Sequence, residues 1–177
     1  MARAGSRPNF FSFPDPVNEV AARVVAGGVV AMSVVAVALD ERWVALVLCY
    51  GFWARVLTGP RLSPLGQFAT RVAAPAIGHA KAVPGPPKRF AQAIGTVFSS
   101  TAVLLWFALP DATAARVVLG LLAVAAGLES FAGYCLGCRI FALLMRVGLV
   151  PPDYCPECAD LSLRHPQLRA GAGSAGR

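Results

Sequence analysis

The sequence predicts an all-α fold, an integral membrane bundle of four transmembrane helices followed by a cysteine-rich C-terminal segment. Two compositional facts and one pattern lead to this prediction. Of the 177 residues, 56% are hydrophobic and only 14% are charged, whereas about a quarter of the residues in a soluble domain are charged. The pattern is a set of four separate apolar runs, three of them near the roughly 20 residues that a helix needs to cross a bilayer.

The four runs cover residues 20–39, 43–57, 91–109 and 117–134. The second is short for a membrane span unless Arg55, near its end, extends toward the lipid headgroups. The connection Asp40-Glu41-Arg42 is too short for anything but a tight helical hairpin, and Leu109-Pro110-Asp111 ends the third run with a proline and a carboxylate. We therefore expect two hairpins within one membrane domain at residues 16–150.

The segments outside the runs have a different composition. Residues 58–90 contain six prolines, and their middle part, residues 65–77, is weakly amphipathic, as in segments that lie at a membrane interface. Residues 1–15 and 164–177 are rich in Gly, Pro, Ser, Ala and Arg, which predicts disordered tails. Residues 151–163 form a separate segment that contains the motif CPEC.

The formal charge of +7 is distributed between the apolar runs. This placement predicts contact with anionic lipid and argues against nucleic-acid binding. The two short hairpins carry one Arg each beside acidic residues, whereas the N-terminal segment, residues 58–90 and the C-terminal segment are basic. The positive-inside rule then predicts a multi-pass protein of the cell inner membrane with both termini in the cytoplasm.

Two charges fall inside the apolar runs at matching depth. Arg55 follows Trp43 by twelve residues and Glu129 follows Val117 by twelve residues, so each lies ~18 Å from the outer end of its helix. Ionisable groups within a membrane usually pair with one another or face a water-filled cavity. The sequence therefore predicts an Arg55–Glu129 ion pair that joins the second and fourth helices. The alternative makes Glu129 a proton or substrate site in a small transporter.

Four cysteines form two Cys-x-x-Cys pairs, Cys135 with Cys138 and Cys155 with Cys158. If the fourth helix continues through the first pair, its two thiols share one helix face. A further apolar stretch at 139–147 and a Pro-Pro turn would let the second pair fold back to the first. The complete spacing, C-x2-C-x16-C-x2-C, falls within the range of four-cysteine zinc sites, so one hypothesis is a structural zinc ion held by all four sulfurs.

The other hypothesis is a thiol-redox or sulfur-relay role. A Cys-x-x-Cys pair at a helix end can exchange disulfides or carry sulfur, and in this hypothesis Cys138 reacts with a soluble partner and Cys135 resolves the intermediate. Cys155 and Cys158 would pass the equivalents onward. Because the cytoplasm keeps thiols reduced, a permanent structural disulfide is disfavoured there.

Three motifs in combination suggest a family. DPVN stands at 15–18, FWAR at 52–55 leads into GPRLSP at 59–64, and GYCLGC stands at 133–138. Together they resemble the bacterial membrane family called domain of unknown function 4395, over roughly residues 14–154. The resemblance implies an integral membrane protein, common in actinobacteria, with thioredoxin-like and sulfurtransferase proteins as genomic neighbours. Those neighbours are the soluble partners that the resemblance implies, and no established activity accompanies it.

Overall fold

The computed structural model describes residues 13–78, 82–155 and 158, and these residues form an all-α structure apart from one minimal strand pair. The helices are α1 (Glu19–Ala38), α2 (Arg42–Thr58), α3 (Pro64–Phe68), α4 (Ala74–Ile77), α5 (Gly85–Ala108), α6 (Thr113–Ala132) and α7 (Leu136–Arg146). A π-helical turn, Ala69–Ala73, joins α3 to α4, and a 3-10 turn, Pro152–Tyr154, follows α7. Strands β1 (Val17–Asn18) and β2 (Ala82–Val83) pair antiparallel.

The four predicted apolar runs correspond to α1, α2, α5 and α6. Of these, α1, α5 and α6 are long and apolar enough to cross a membrane. Helix α2 has 17 residues, which corresponds to ~26 Å and lies at the short end of the range for membrane spans. The all-α prediction is confirmed, three candidate spans are present, and a fourth span formed by α2 stays a prediction.

Helix α5 begins six residues before the predicted run because its first turn contains prolines. Proline is tolerated at the first positions of a helix, where its missing N–H has no intrahelical acceptor in any case. The N–H of Gly85 donates to Oδ1 of Asp15 over 2.9 Å, which ties the start of α5 to the chain before α1. As a consequence Lys88, which the sequence places in a loop, is part of a helix.

The four long helices form a ring in the order α1, α2, α5, α6, in which each packs against its two neighbours. Helices α2 and α6 are therefore diagonal to each other. At one end of the ring, which we call the hairpin end, Arg116 Nη2 and Asp40 Oδ1 are 2.8 Å apart and connect the α1–α2 turn to α6. At the other end, the basic end, lie the starts of α1 and α5, the ends of α2 and α6, the α3–α4 segment and α7.

The core toward the hairpin end contains small buried residues where the helices meet. Each of the four long helices contributes one buried alanine: Ala36, Ala45, Ala102 and Ala115. Small side chains allow helix backbones to approach closely, which is how helices associate in lipid. Trp106, Leu48 and Leu119 fill the remaining space within the same apolar cluster. The bundle is therefore tightly packed toward the hairpin end.

Helix α6 does not continue through the first cysteine pair. Gly133 adopts a left-handed conformation (φ 65°), its N–H donates to the carbonyl of Glu129, and the N–H of Tyr134 donates to the carbonyl of Leu128. This is a glycine C-cap of the Schellman type. The fourth run therefore ends close to its predicted end at residue 134. The condition that the helix continues through Cys138 is not met, because Gly133 ends α6 and the chain turns before α7 begins.

Helix α7 contains most of the apolar stretch at 139–147 and lies against α5. Gly137 approaches the backbone of Ala91, and the rings of Phe141 and Phe90 have centroids 5.6 Å apart. Its outward face exposes an apolar stripe made of Leu136, Ile140, Leu143 and Val147. An exposed apolar stripe on a helix beside candidate membrane spans is suited to contact with lipid.

Parts of the predicted organisation lie outside the described residues. Of the predicted N-terminal tail at 1–15, residues 13–15 are described, and Pro14 packs against Gly59. The predicted tail at 164–177 lies outside the described residues, as does most of the CPEC segment at 151–163 except residues 151–155 and 158.

The contact between α7 and α5 makes a first prediction. In Gly137→Ala the added Cβ would lie 2.6 Å from Cα of Ala91, and because the obstacle is backbone, the contact can be relieved only by moving α7. We expect the free energy of unfolding to fall by about 1–3 kcal/mol, measured by unfolding in detergent micelles. The matched control is Gly120→Ala, where a Cβ meets nothing within 4 Å, so that variant should be unchanged or more stable. Equal effects of the two substitutions would contradict the close approach.

Candidate thiol site and its cavity

Cys135 and Cys138 form a disulfide at the start of α7, with their Cα atoms 5.3 Å apart. Cys135 is the N-cap of α7, and its Sγ accepts a hydrogen bond of 3.3 Å from the backbone N–H of Cys138. Both residues are partly exposed. If the disulfide opens, this N–H and the positive end of the α7 dipole stabilise negative charge on the sulfur of Cys135.

Cys135 borders a cavity of ≈ 310 Å³ that extends from α7 into the bundle. All four long helices contribute to its wall, and the wall is apolar except for Gln92, Glu129 and Cys135. Leu121 and Glu129, both in this wall, are eight residues apart on α6, so the cavity extends ~12 Å along that helix. The disulfide thus lies beside an elongated apolar space at the basic end.

Glu129 pairs with Lys88 of α5. The Lys88 Nζ to Glu129 Oε1 distance is 2.5 Å, and the two side chains are only 12% and 15% exposed. The prediction that Glu129 pairs with Arg55 is therefore wrong. The two charges do lie toward the same end of the bundle, but α2 and α6 are diagonal in the ring. Each side chain therefore bonds to a residue of α5, which lies beside both helices.

Arg55 bonds to uncharged partners through two of its three nitrogens. It is 4% exposed, its Nε donates to Oε1 of Gln92 over 2.9 Å, and its Nη1 donates to Oγ of Ser63 over 3.2 Å. Its Cζ lies 4.5 Å from the ring centroid of Phe52, within the range of a cation–π interaction. Gln92 follows Lys88 by one helical turn on α5. Helix α5 therefore bonds to both Arg55 and Glu129, the two residues that the sequence predicts to pair with each other.

A second cavity, of ≈ 220 Å³, lies on the other side of this polar cluster. Arg55, Lys88 and Gln92 line it together with residues before and within α1 and around α3, and Gln92 borders both cavities. Nη2 of Arg55 is buried and has no hydrogen-bond partner among the described residues. The cluster of Arg55, Gln92, Lys88 and Glu129 thus forms a polar layer between the two cavities.

The end of α6 is held by Arg23 of α1. Nε of Arg23 donates to the carbonyl of Ser130 over 3.0 Å, and Nη2 donates to the carbonyl of Phe131 over 2.9 Å. These carbonyls belong to the last turn of α6, which has no intrahelical N–H partners for them. Arg23 therefore helps to position the turn that leads into Cys135.

Sequence reasoning did not identify the four residues that complete the site: Arg23, Ser63, Lys88 and Gln92. A signal existed for two of them, since Lys88 and Gln92 are polar, four residues apart and next to an apolar run, and so share a helix face. For Arg23 and Ser63 the sequence contains no such signal. Each bonds to a residue of another helix, and the local sequence pattern does not show which helices pack together.

The second pair, Cys155 and Cys158, forms its own disulfide, with Cα atoms 5.2 Å apart. Cys155 is 2% exposed, and the N–H of Cys158 donates to its carbonyl. Because each sulfur is bonded within its own pair, Cys135, Cys138, Cys155 and Cys158 do not offer four thiolates to one metal ion. Within the described ranges, no group of three or more His, Cys, Asp or Glu residues is arranged to hold a metal ion. The four sulfurs thus do not converge in this structure, and a zinc ion held by all four stays a prediction.

The polar layer makes a second prediction. In a double-mutant cycle, Lys88→Ala and Glu129→Ala should show a coupling free energy of about 1 kcal/mol or more, because each single variant leaves the other charge unpaired in a nearly buried position. The control cycle combines Arg55→Ala with Glu129→Ala and should be additive within about 0.5 kcal/mol. Unfolding free energies in micelles measure both cycles. A larger coupling for Arg55 with Glu129 would restore the pairing that the sequence predicts.

Comparison with known proteins supports the grouping that the motifs indicate. Neither a search of curated proteins nor a search of solved structures finds a match. A family described as domain of unknown function (DUF4395) matches residues 17–146, a range that includes Cys135 and Cys138 and ends before Cys155. Because this match covers most of the chain and all four bundle helices, the protein belongs to the DUF4395 family.

Proposed function

We propose that this protein is an inner-membrane thiol-redox protein whose Cys135–Cys138 pair exchanges electrons with a soluble thioredoxin-like partner. One observation carries the proposal: the pair caps a helix at the basic end of a membrane bundle, is partly exposed, and has one sulfur that receives a backbone N–H. That arrangement suits a disulfide that opens and closes, since it stabilises the thiolate that leaves when the bond is attacked.

The exchange proceeds in two steps. A partner thiolate attacks Sγ of Cys138, the Cys135–Cys138 bond breaks, and Cys135 leaves as a thiolate stabilised by the N–H of Cys138. The second thiolate of the partner then attacks its own sulfur in the mixed disulfide and releases Cys138. The partner dithiol is oxidised to a disulfide, and the membrane pair gains two electrons and, with protons from water, becomes a dithiol.

A sulfurtransferase partner would use the same pair, with Cys138 carrying the transferred sulfur. Cys155 and Cys158 lie outside the matched family range, so the proposal depends on the first pair. The second pair passes electrons onward only if it is itself reduced. The rival scaffold function, with zinc held by four cysteines, and the transporter function receive less support. The sulfurs are paired with each other, and Glu129 is paired with Lys88.

The distribution of basic residues supports an inner-membrane orientation with both termini in the cytoplasm. The described basic residues at the basic end are Arg23, Arg55, Arg61, Arg71, Lys88, Arg89, Arg139 and Arg146, whereas the hairpin end carries Arg42 and Arg116 beside Asp40, Glu41 and Asp111. The positive-inside rule favours the basic end as cytoplasmic. In that compartment a disulfide is transient rather than structural, as a redox role requires. Helix α2, which runs from one end of the bundle to the other, completes the four spans.

The exchange mechanism makes a third prediction. The probe is thioredoxin with a single active-site cysteine activated as a mixed disulfide with thionitrobenzoate, which reports reaction by release of thionitrobenzoate. Reduced Cys135→Ser, which retains Cys138, should react about fivefold faster than reduced Cys138→Ser. The N–H of Cys138 favours the thiolate of Cys135, but access to a protein-sized probe decides the rate, because Cys135 borders the cavity and Cys138 does not. The background for both variants is Cys49→Ser, Cys155→Ser and Cys158→Ser, so that no other thiol contributes.

Two results would contradict the redox proposal. One is a Cys135–Cys138 pair that reacts with neither thioredoxin nor dithiothreitol in the folded protein. The other is one zinc ion per chain in the purified protein with all four paired thiols masked until a chelator is added, which is the result that the scaffold function requires.

The orientation makes a fourth prediction. In a cysteine-free background, a cysteine at Glu41, in the hairpin end, should react with a membrane-impermeant maleimide on intact spheroplasts, because it faces outward. A cysteine at Leu62, in the basic end and exposed, should react only after the membrane is opened. Labelling of Leu62→Cys on sealed spheroplasts, with Glu41→Cys protected, would invert the orientation and place the disulfide on the oxidising side.

A further inference from the structure

The cavity beside Cys135 has properties that the exchange with a soluble partner does not use. Its volume of ≈ 310 Å³ lies at the lower end of the range for small-molecule sites. Cys135 borders it and Cys138 does not. Of the two cysteines, Cys135 is thus the one in contact with the cavity, and Cys138 is partly exposed away from it.

The rim of the cavity indicates how a ligand would reach it. Leu121, Leu136 and Ile140 line the cavity and are 57%, 38% and 45% exposed, and they lie on α6 and α7, which border the membrane region. An opening lined by exposed leucine and isoleucine on a membrane-spanning bundle faces lipid rather than water. A ligand that enters there is soluble in lipid.

The wall of the cavity that Cys135 borders also contains a small number of polar groups. Arginine is only a donor, so the oxygen of the Gln92 amide must accept from Arg55. That bond leaves the NH₂ group of Gln92 to donate to a ligand. Glu129, held by Lys88, borders the same space. One amide donor, one carboxylate and one redox-active sulfur at the end of a ~12 Å apolar space fit a flat ring with polar oxygens and an apolar tail.

We propose that this cavity binds a quinone, with its ring beside Cys135 and its isoprenoid tail along α6, and that the reduced Cys135–Cys138 pair passes two electrons to it. This inference rests on the proposed thiol-redox function and adds the lipid-soluble acceptor to it. In the step, the two S–H bonds break and the Cys135–Cys138 bond forms. The two electrons and two protons that the thiols lose convert the quinone to a hydroquinone. Electrons thus enter through Cys138 and leave through Cys135.

Binding is tested first, apart from redox chemistry. The probe is ubiquinone-1, whose ring is fully substituted and so resists addition of thiols, and the protein is Cys135→Ser/Cys138→Ser in micelles, studied by equilibrium dialysis. We expect saturable binding that Ala125→Trp, which fills the cavity, weakens about tenfold or more. The control Val124→Trp changes the adjacent, lipid-facing residue of α6, which is 64% exposed, and should leave binding unchanged. Ile140→Trp at the exposed rim serves as a second blocking variant if Ala125→Trp does not fold.

Electron transfer is tested next with the protein whose other three cysteines are serine. After reduction and removal of the reductant, addition of ubiquinone-1 should yield about one hydroquinone per chain together with loss of the two thiols, and Ile140→Trp should slow this about tenfold. Binding that does not saturate, or that is equally strong in both blocking variants, would overturn the inference. So would displacement of ubiquinone-1 by dodecanol at equal concentration, because the cavity would then be a site for an acyl chain.

The two proposals fail in different ways. A pair that exchanges with thioredoxin but neither binds nor reduces ubiquinone-1 leaves the thiol-redox function in place and removes only the quinone. A pair that is inert toward thioredoxin, dithiothreitol and ubiquinone-1 removes both.

Discussion

A bilayer offers no water to polar groups, and this constraint accounts for the arrangement of the whole structure. Charged groups placed between apolar helices must find partners in the protein or reach the interface. Arg55 bonds to Gln92 and Ser63, Glu129 bonds to Lys88, and Arg23 bonds to the last carbonyls of α6. All of these contacts lie at the basic end. The hairpin end instead has a packed apolar core that includes one buried alanine from each helix.

Helix α5 is the element on which the polar layer depends. It lies between α2 and α6 in the ring and presents Lys88 and Gln92, one turn apart, to a charge on each neighbour. Its early start at Gly85 is what makes this possible, because a helix that began at residue 91 would contain Gln92 but not Lys88. Two prolines, which commonly end helices, here occupy a first turn that can accept them.

The candidate thiol site depends on the break between α6 and α7. A continuous helix would carry both cysteines along its own face. Because Gly133 ends α6 and α7 turns against α5 through Gly137, Cys135 instead becomes an N-cap that borders the cavity, with Cys138 one turn farther along. Cys135 thereby borders the cavity and Cys138 does not, and the direction of the proposed exchange follows from this difference. The same packing leaves the apolar stripe of α7 exposed.

The sequence by itself determined the helical segments, the two short hairpins, the basic end and the two Cys-x-x-Cys pairs, because each follows from local composition, turn chemistry or spacing. It also placed Arg55 and Glu129 at a matching depth, since depth depends only on the count of residues along a helix. Only the tertiary structure decided which charge meets which. Pairing depends on the order of the helices around the ring and on the rotation of each about its axis, and neither is encoded in the residue count. The cavity beside Cys135 is likewise a property of five helices together, so no single segment could reveal it.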